Sequence, residues 1–212
     1  MADLQALAQF LRQGKAKEVK EIAEQAIAEG TSAKEVLQSG LMAGMDVIGK
    51  QFKNNEIFVP EVLIAARAMN AGMEILKPHL AQSGVEAKGT VVIGTVKGDL
   101  HDIGKNLVAM MMEGKGLTVI DLGTDVSPAR FVEEAQAKHA QIIACSALLT
   151  TTMKEMEQVV KAVESSGLRN KVQIMVGGAP VTESFCKSIG ADAYSPDAAT
   201  ASETAVELCS AG

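Results

Sequence analysis

The sequence predicts an α/β protein in two parts: an N-terminal four-helix bundle, then a doubly wound parallel sheet of five strands. Three observations predict it. Apolar residues recur at helical spacing, without a strand-like run, from the start to about residue 82. After residue 90 the rhythm changes, and short β-branched apolar runs alternate with helical stretches. Those runs are apolar nearly throughout instead of alternating, as in strands covered on both faces.

Taken in order, Leu4, Leu7, Ala8 and Leu11 form a first helical stripe. Val19, Ile22, Ala23, Ala26 and Ile27 form a second, with Gly30 as its stop and Thr31 or Ser32 as the next cap. Leu37, Leu41, Met45 and Ile48 form a third. A fourth starts near Pro60, a residue tolerated in a first helical turn, and runs through Val62, Leu63, Ala66, Met69 and Met73 to Leu76, with Pro78 marking its end. Four such helices with short connections predict a small bundle over residues 1–85. The stretch AQSGVEAKG, 81–89, reads as a linker.

Residues 86–212 read as the second domain. Strands are predicted at 91–96, 117–122, 142–145 and 172–176, with a weaker one at Ala193-Tyr194. Helices are predicted at 104–114, 129–138, 153–165, 181–188 and about 198–210. This alternation predicts a flavodoxin-like order, with ligands at the carboxyl ends of the strands near the switch point.

The bulk composition excludes several classes. The net charge of −6 gives nucleic-acid binding no electrostatic support. No apolar run approaches the ~18 residues a membrane helix needs. The opening MADLQALAQF lacks the basic start and apolar core of a secretory leader. Three widely spaced cysteines, Cys145, Cys186 and Cys209, fit a reducing cytoplasm better than a disulfide framework.

The segment KGDLHDIGKN, 97–106, stands at the end of the first strand. It holds one of three histidines between two acids and leads through Gly104 into the helical run LVAMMM. A bare zinc site needs three or four protein ligands. His79 and His139 lie far off in sequence and the cysteines form no paired motif. A metal delivered inside a macrocycle needs only one axial ligand, which His101 can supply. Asp99, two residues earlier, can accept from the other imidazole N–H and fix the tautomer. Asp102 also reads as a helix cap.

Two further loops fall on the same sheet edge. Ser146-Ala147-Leu148-Leu149-Thr150-Thr151-Thr152 carries four hydroxyls in seven residues, more than capping requires. Gly177-Gly178 follows the fourth strand and reads either as a tight turn or as a place where backbone comes close to a ligand. Gly94 inside the first strand also hints at a close approach.

Together, Asp99-Leu100-His101-Asp102-Ile103-Gly104, the 146–152 loop and Gly177-Gly178 resemble the cobalamin-binding domain. The helical half, around Phe58-Val59-Pro60-Glu61-Val62, resembles the cap domain of corrinoid-dependent methyltransferases, including methionine synthase. The whole is similar to the small corrinoid protein of a multi-component methyltransferase system. That resemblance implies a cobalamin or related corrinoid bound base-off and His-on, with its nucleotide tail buried beside the sheet. His101 would be the lower cobalt ligand, Asp99 its hydrogen-bond partner, and Thr152 would extend a proton relay where methionine synthase has serine. Gly98, Asp102, Ile103, Gly104 and Leu148 would also bind the cofactor. Ser146 and Thr150 would contact the tail, and Gly177 and Gly178 would let it pass. Phe58 and Val62 would shield the upper face, on a cap hinged near 81–89. The run Asn54-Asn55-Glu56 departs from the glycine the family carries nearby.

The implied function is methyl carriage. A donor-specific methyltransferase would load a methyl group on reduced cobalt. A second methyltransferase with a tetrahydrofolate or thiol acceptor would remove it, and a reductive activase would restore the cobalt. A phosphate-accepting receiver domain shares the sheet order but wants aspartate where Cys145-Ser146 stands. A cobalamin-binding sensor uses the same binding residues but would usually carry an output domain, and no basic helix-turn-helix segment is evident. A mutase cobalamin subunit would not need the helical half.

Overall fold

The structure, a computed structural model, describes residues 2–83 and 87–210. The chain divides into two compact units, Met1–Glu86 with Gly114–Gly116, and Ala87–Glu113 with Leu117–Gly212.

In the helical unit, Asp3 caps α1 (Leu4–Arg12), its carboxylate accepting from the N–H groups of Gln5 and Ala6. The stripe positions Leu7 and Leu11 are fully buried. α2 (Ala16–Ala28) buries Val19, Ala23 and Ala26 and ends where Gly30 turns left-handed at φ +86°. Ser32 then caps the next helix through Glu35 N–H. That helix is one rod in three registers: α3 (Ala33–Glu35), a π-helical segment (Val36–Met42) and α4 (Ala43–Lys53). Gly40 and Gly44 let it approach α1 closely. A Cβ on Gly40 would stand 2.9 Å from Leu7, and one on Gly44 3.0 Å from the Ala8 carbonyl.

The fourth helix, α5 (Val59–Ser83), does not stop at Pro78, which lies inside it. Proline removes its own N–H bond, crowds the carbonyl four residues back and disfavours helix in the residue before it, costs that packing elsewhere on the helix can offset. Fully buried Leu76 anchors the turn on which Pro78 sits. The expected linker therefore shrinks: Ala81–Ser83 are helical, 84–86 lie outside the described residues, and Gly89 already belongs to the sheet unit. The Gly89 carbonyl accepts from Thr118 N–H, and a Cβ there would collide with Cys209.

The second unit is a five-stranded parallel sheet in the order β2-β1-β3-β4-β5, the flavodoxin-like arrangement. The strands are β1 (Thr90–Thr95), β2 (Thr118–Asp121), β3 (Ile142–Ser146), β4 (Gln173–Gly177) and β5 (Ala193–Tyr194). The helices are α6 (Ile103–Gly114), α7 (Pro128–Ala137), α8 (Met153–Ser165), α9 (Glu183–Ile189) and α10 (Ala198–Ser210).

Period-two alternation sends the central strands into two cores. Val92, Val96, Ile143, Cys145, Ile174 and Val176 face α7 and α8, around the fully buried Phe131 and Met156. Val91, Ile93, Ile142, Ala144 and Met175 face α6 and α10, against Ala109, Met112, Ala201 and Ala205. Gly94 serves the first core, since a Cβ on it would meet the Phe131 ring at 2.9 Å. Its close approach is to that ring. The order reverses between β1 and β3, so the loops after these strands flank the switch point.

Candidate functional site

The loop after β1 is built to hold one imidazole. Gly98 takes φ +80°, and its N–H donates to Asp125 Oδ1 at 2.7 Å. Asp125, in the loop after β2, is itself left-handed at φ 54°, and its N–H donates back to the Asp99 carbonyl at 3.0 Å. The Thr95 hydroxyl, buried at the end of β1, donates to the His101 carbonyl at 2.8 Å. The loop is thus tied at three points before any side-chain chemistry is considered.

Asp99 is the centre of the arrangement. Its carboxylate is fully buried and accepts five hydrogen bonds. Oδ1 takes the His101 N–H at 3.1 Å and His101 Nδ1 at 2.8 Å. Oδ2 takes the N–H groups of Leu148 at 2.8 Å and Leu149 at 3.3 Å, and the Thr152 hydroxyl at 2.8 Å. Burial by itself pushes the carboxyl pKa up. The Leu148 and His101 N–H groups, the His101 ring and Thr152 together outweigh it and hold Asp99 well below the usual carboxylate range. An ionised Asp99 can only accept, so Nδ1 of neutral His101 carries the proton and Nε2 is left with its lone pair. Nε2 makes no hydrogen bond among the described residues, and the side chain is 52% exposed. The outcome is a half-exposed imidazole of fixed tautomer.

The Thr152 hydroxyl lies between two acceptors, Asp99 Oδ2 at 2.8 Å and the Leu149 carbonyl at 2.9 Å. With one proton it serves one of them at a time. Thr152 occupies the residue before α8 without capping it.

Around His101 the surface is apolar where a loop is usually polar. Leu100, Ile103, Leu148 and Leu149 are all exposed. Gly104 is exposed, and a Cβ there would enter open space. Asp102 is exposed and accepts from the Asn106 side chain at 3.2 Å. Lys105 turns inward, its buried ammonium pairing with the exposed Asp121 carboxylate at the end of β2 and fixing the start of α6.

The remaining expected residues are placed as follows. Ser146 ends β3, half-buried, and Thr150 is exposed. Gly178 takes φ +129°, and a Cβ there would collide with the Ala147 carbonyl, so this glycine lets the chain pass its own β3 loop. A Cβ on Gly177 would meet only the Ser195 carbonyl, at 3.4 Å. In the helical unit Phe58 is 66% exposed, whereas Val62 is fully buried and offers no surface to a ligand. Asn55 takes φ 59°, so asparagine fills a left-handed position of the kind glycine would otherwise occupy. Among the described residues no group of three or more His, Cys, Asp or Glu side chains can hold a metal ion.

Sequence reasoning missed Thr95, Asp125, the Leu149 N–H and Ser195. The last follows β5, is 7% exposed, and has a buried hydroxyl without a hydrogen-bond partner among the described residues. The signals were thin: a threonine closing an apolar run, an aspartate after Gly123, a serine after a two-residue strand.

Comparison with known proteins places the chain in a family. Residues 89–205 match a B12 binding domain, and residues 3–77 match a second family model also described as a B12 binding domain. A trimethylamine corrinoid protein of Methanosarcina acetivorans is 48% identical over 180 residues, covering 84% of this chain and 83% of that protein. A corrinoid protein of Desulfitobacterium hafniense is 40% identical over 211 residues, covering 98% of both chains. Among solved structures, a chain of the methanol:cobalamin methyltransferase complex of Methanosarcina barkeri matches with a TM-score of 0.87 and 31% identity, over 97% of this chain and 79% of that one. The chain belongs to the B12-binding family and stands among the corrinoid proteins of methyltransferase systems.

Proposed function

We propose that this chain is a methyl carrier that holds a corrinoid base-off with His101 Nε2 as the lower axial ligand. The observation that carries the proposal is the His101–Asp99 pair: Nδ1–H held at 2.8 Å by a buried carboxylate, Nε2 free, and exposed apolar side chains around it. The residues fit such a group. One imidazole suffices where a macrocycle supplies four nitrogens, and Leu100, Ile103, Leu148 and Leu149 suit its apolar rim. When bound, the corrinoid supplies a cobalt centre that accepts a methyl group and gives it up again.

The chain's own residues then have distinct tasks. Gly98 and Asp125 hold the loop so that His101 presents Nε2. Asp99 fixes the tautomer by accepting from Nδ1–H. Thr152 balances Asp99 by donating to it or to the Leu149 carbonyl. Asp102, Ile103, Gly104 and Leu148 line the ring. Ser146 and Thr150 contact the tail, Gly177 and Gly178 let it pass, and Gly178 also keeps the adjoining loop in place. Residues 1–85 act as the cap and 86–212 as the binding domain, with exposed Phe58 as the cap residue available to the methyl-bearing face. Val62 contributes by packing.

The partners that follow are a donor-specific methyltransferase, an acceptor methyltransferase with a tetrahydrofolate or thiol acceptor, and a reductive activase. This exchange belongs in the cytoplasm. The test is reconstitution with hydroxocobalamin, then incubation of the reduced protein with the methyltransferase that co-purifies with it. One corrinoid per chain, and a change in its visible spectrum that depends on methyl donor, support the reading. A protein that stays colourless under both reducing and oxidising conditions refutes it.

A further inference from the structure

The α6/α10 face of the sheet changes character at its carboxyl end. The layer Ile93, Ala144, Met175 and Ala193 is apolar and aligned by strand register. The next layer on the same face is Thr95, Ser146 and Gly177, again in register. Ser195 extends it beyond β5, because it lies two residues after Ala193 and its N–H donates to the Val176 carbonyl at 3.4 Å. Three hydroxyls and a glycine thus form one row directly above an apolar floor.

The three hydroxyls are not equivalent. Thr95 spends its proton on the His101 carbonyl. Ser146 is half-buried; its carbonyl accepts from Val96 N–H at 3.0 Å, but its hydroxyl makes no hydrogen bond among the described residues. Ser195 is more than nine-tenths buried, and its hydroxyl likewise has no partner there. A buried hydroxyl left unpaired costs folding free energy, so such groups are retained where a partner arrives later. The neighbouring polar groups are already engaged. Asp197 accepts from the N–H and hydroxyl of Thr200, and the Ser202 hydroxyl donates to the Ala199 carbonyl. α10 turns only small residues inward here: Ala198, Ala199, Ala201 and Ser202. Gly177 adds no side chain between Ser146 and Ser195.

We propose that Ser195 is a binding residue for the polar nucleotide tail of the corrinoid, its hydroxyl pairing with the ribose–phosphate portion at the β5 end of this row. The inference rests on the corrinoid reading above and adds a residue to it. It separates the contributions to binding: His101 and the apolar rim serve the ring, and Ser195 serves the tail alone.

The experiment compares two probes, cobalamin and cobinamide, which lacks the nucleotide. Affinities are measured by absorbance titration for the full-length wild type and for Ser195→Ala, together with the Tm of each protein without corrinoid. Ser195→Ala should weaken cobalamin binding roughly 5- to 10-fold, the effect of one lost hydrogen bond, and leave cobinamide binding unchanged. Its corrinoid-free Tm should stay level or rise, because the variant loses an unpaired hydroxyl and no contact. Unchanged cobalamin affinity, equal weakening of both probes, or a lowered corrinoid-free Tm would each overturn the assignment. A wild type that binds neither probe would bring down the corrinoid reading itself, and this inference with it.

Discussion

Replacing Asp99 by asparagine changes no volume, yet the hydrogen-bond geometry says it reshapes the site. The amide has one acceptor atom where the carboxylate has two. If the NH₂ faces the Oδ2 side, it confronts the N–H groups of Leu148 and Leu149, neither of which can turn away. If it faces the Oδ1 side, it confronts one backbone N–H, that of His101, and the ring nitrogen Nδ1. The second placement is cheaper, because the ring can change tautomer and accept at Nδ1. One buried N–H is then orphaned, at about 1–3 kcal/mol, and the surviving bonds lose their charge assistance at about 1 kcal/mol each. Three bonds survive, from Leu148, Leu149 and Thr152, so the sum is a destabilisation of about 4–6 kcal/mol. The tautomer change also moves the ring proton to Nε2, removing the lone pair that would hold cobalt. Urea denaturation of the corrinoid-free protein reads the stability, and nitrogen-15 NMR of the imidazole reads the tautomer. The pH dependence follows from the lowered pKa of Asp99. A carboxyl whose folded pKa lies below its unfolded value stabilises above the unfolded pKa of ~4, and that contribution drains as pH falls towards the folded value. Wild type should therefore lose stability on acidification below about pH 4 with a slope that Asp99→Asn lacks. A variant within about 1 kcal/mol of wild type that keeps the proton on Nδ1 would refute the reasoning.

Gly178→Ala should cost upwards of about 3 kcal/mol in thermal or urea denaturation, since the new methyl meets the Ala147 carbonyl at a φ that alanine resists. Gly94→Ala, whose neighbour is the edge of the Phe131 ring, should cost less, about 1–3 kcal/mol. Phe58→Ala should leave stability within about 0.5 kcal/mol, because the ring is largely exposed, and should speed photolysis of the methylated corrinoid; an unchanged photolysis rate removes Phe58 from the cap's working surface. Cys145, whose thiol burial pushes up to about 12, should resist alkylation at pH 8 until the protein unfolds, which mass spectrometry of labelled peptides reports.

Much of this molecule is legible in its residues because the same physics acts at short range. Apolar runs such as Val91-Val92-Ile93 and Ile142-Ile143 announce strands, and the alternation with helices gives the sheet its class. The Asp99–His101 pair is legible because its members are two residues apart. What sequence hides is tertiary. Asp125 ties Gly98 from 27 residues away, and the Leu148 and Leu149 N–H groups reach Asp99 from about 50. Pro78 looks like a helix stop, but packing around Leu76 carries α5 past it. The π-helical segment at Val36–Met42 keeps the apolar spacing of an ordinary helix. Gly178 invites a ligand reading, and the placement of the Ala147 carbonyl adds a packing reason for glycine that no sequence pattern shows. Ser195 follows a strand of two residues, too short to reveal which face it points to.

His101 Nε2 as the cobalt ligand is the bond on which methyl carriage by this chain turns. Electron paramagnetic resonance of the cobalt(II) corrinoid, bound to protein labelled with nitrogen-15 histidine, examines that bond itself. Wild type should show an axial nitrogen splitting that changes from three lines to two on labelling, and His101→Ala should lose the splitting while retaining corrinoid through its tail. If His101→Ala keeps the wild-type nitrogen signal, or if labelling histidine leaves the pattern unchanged, the ligand is another group and the central claim fails.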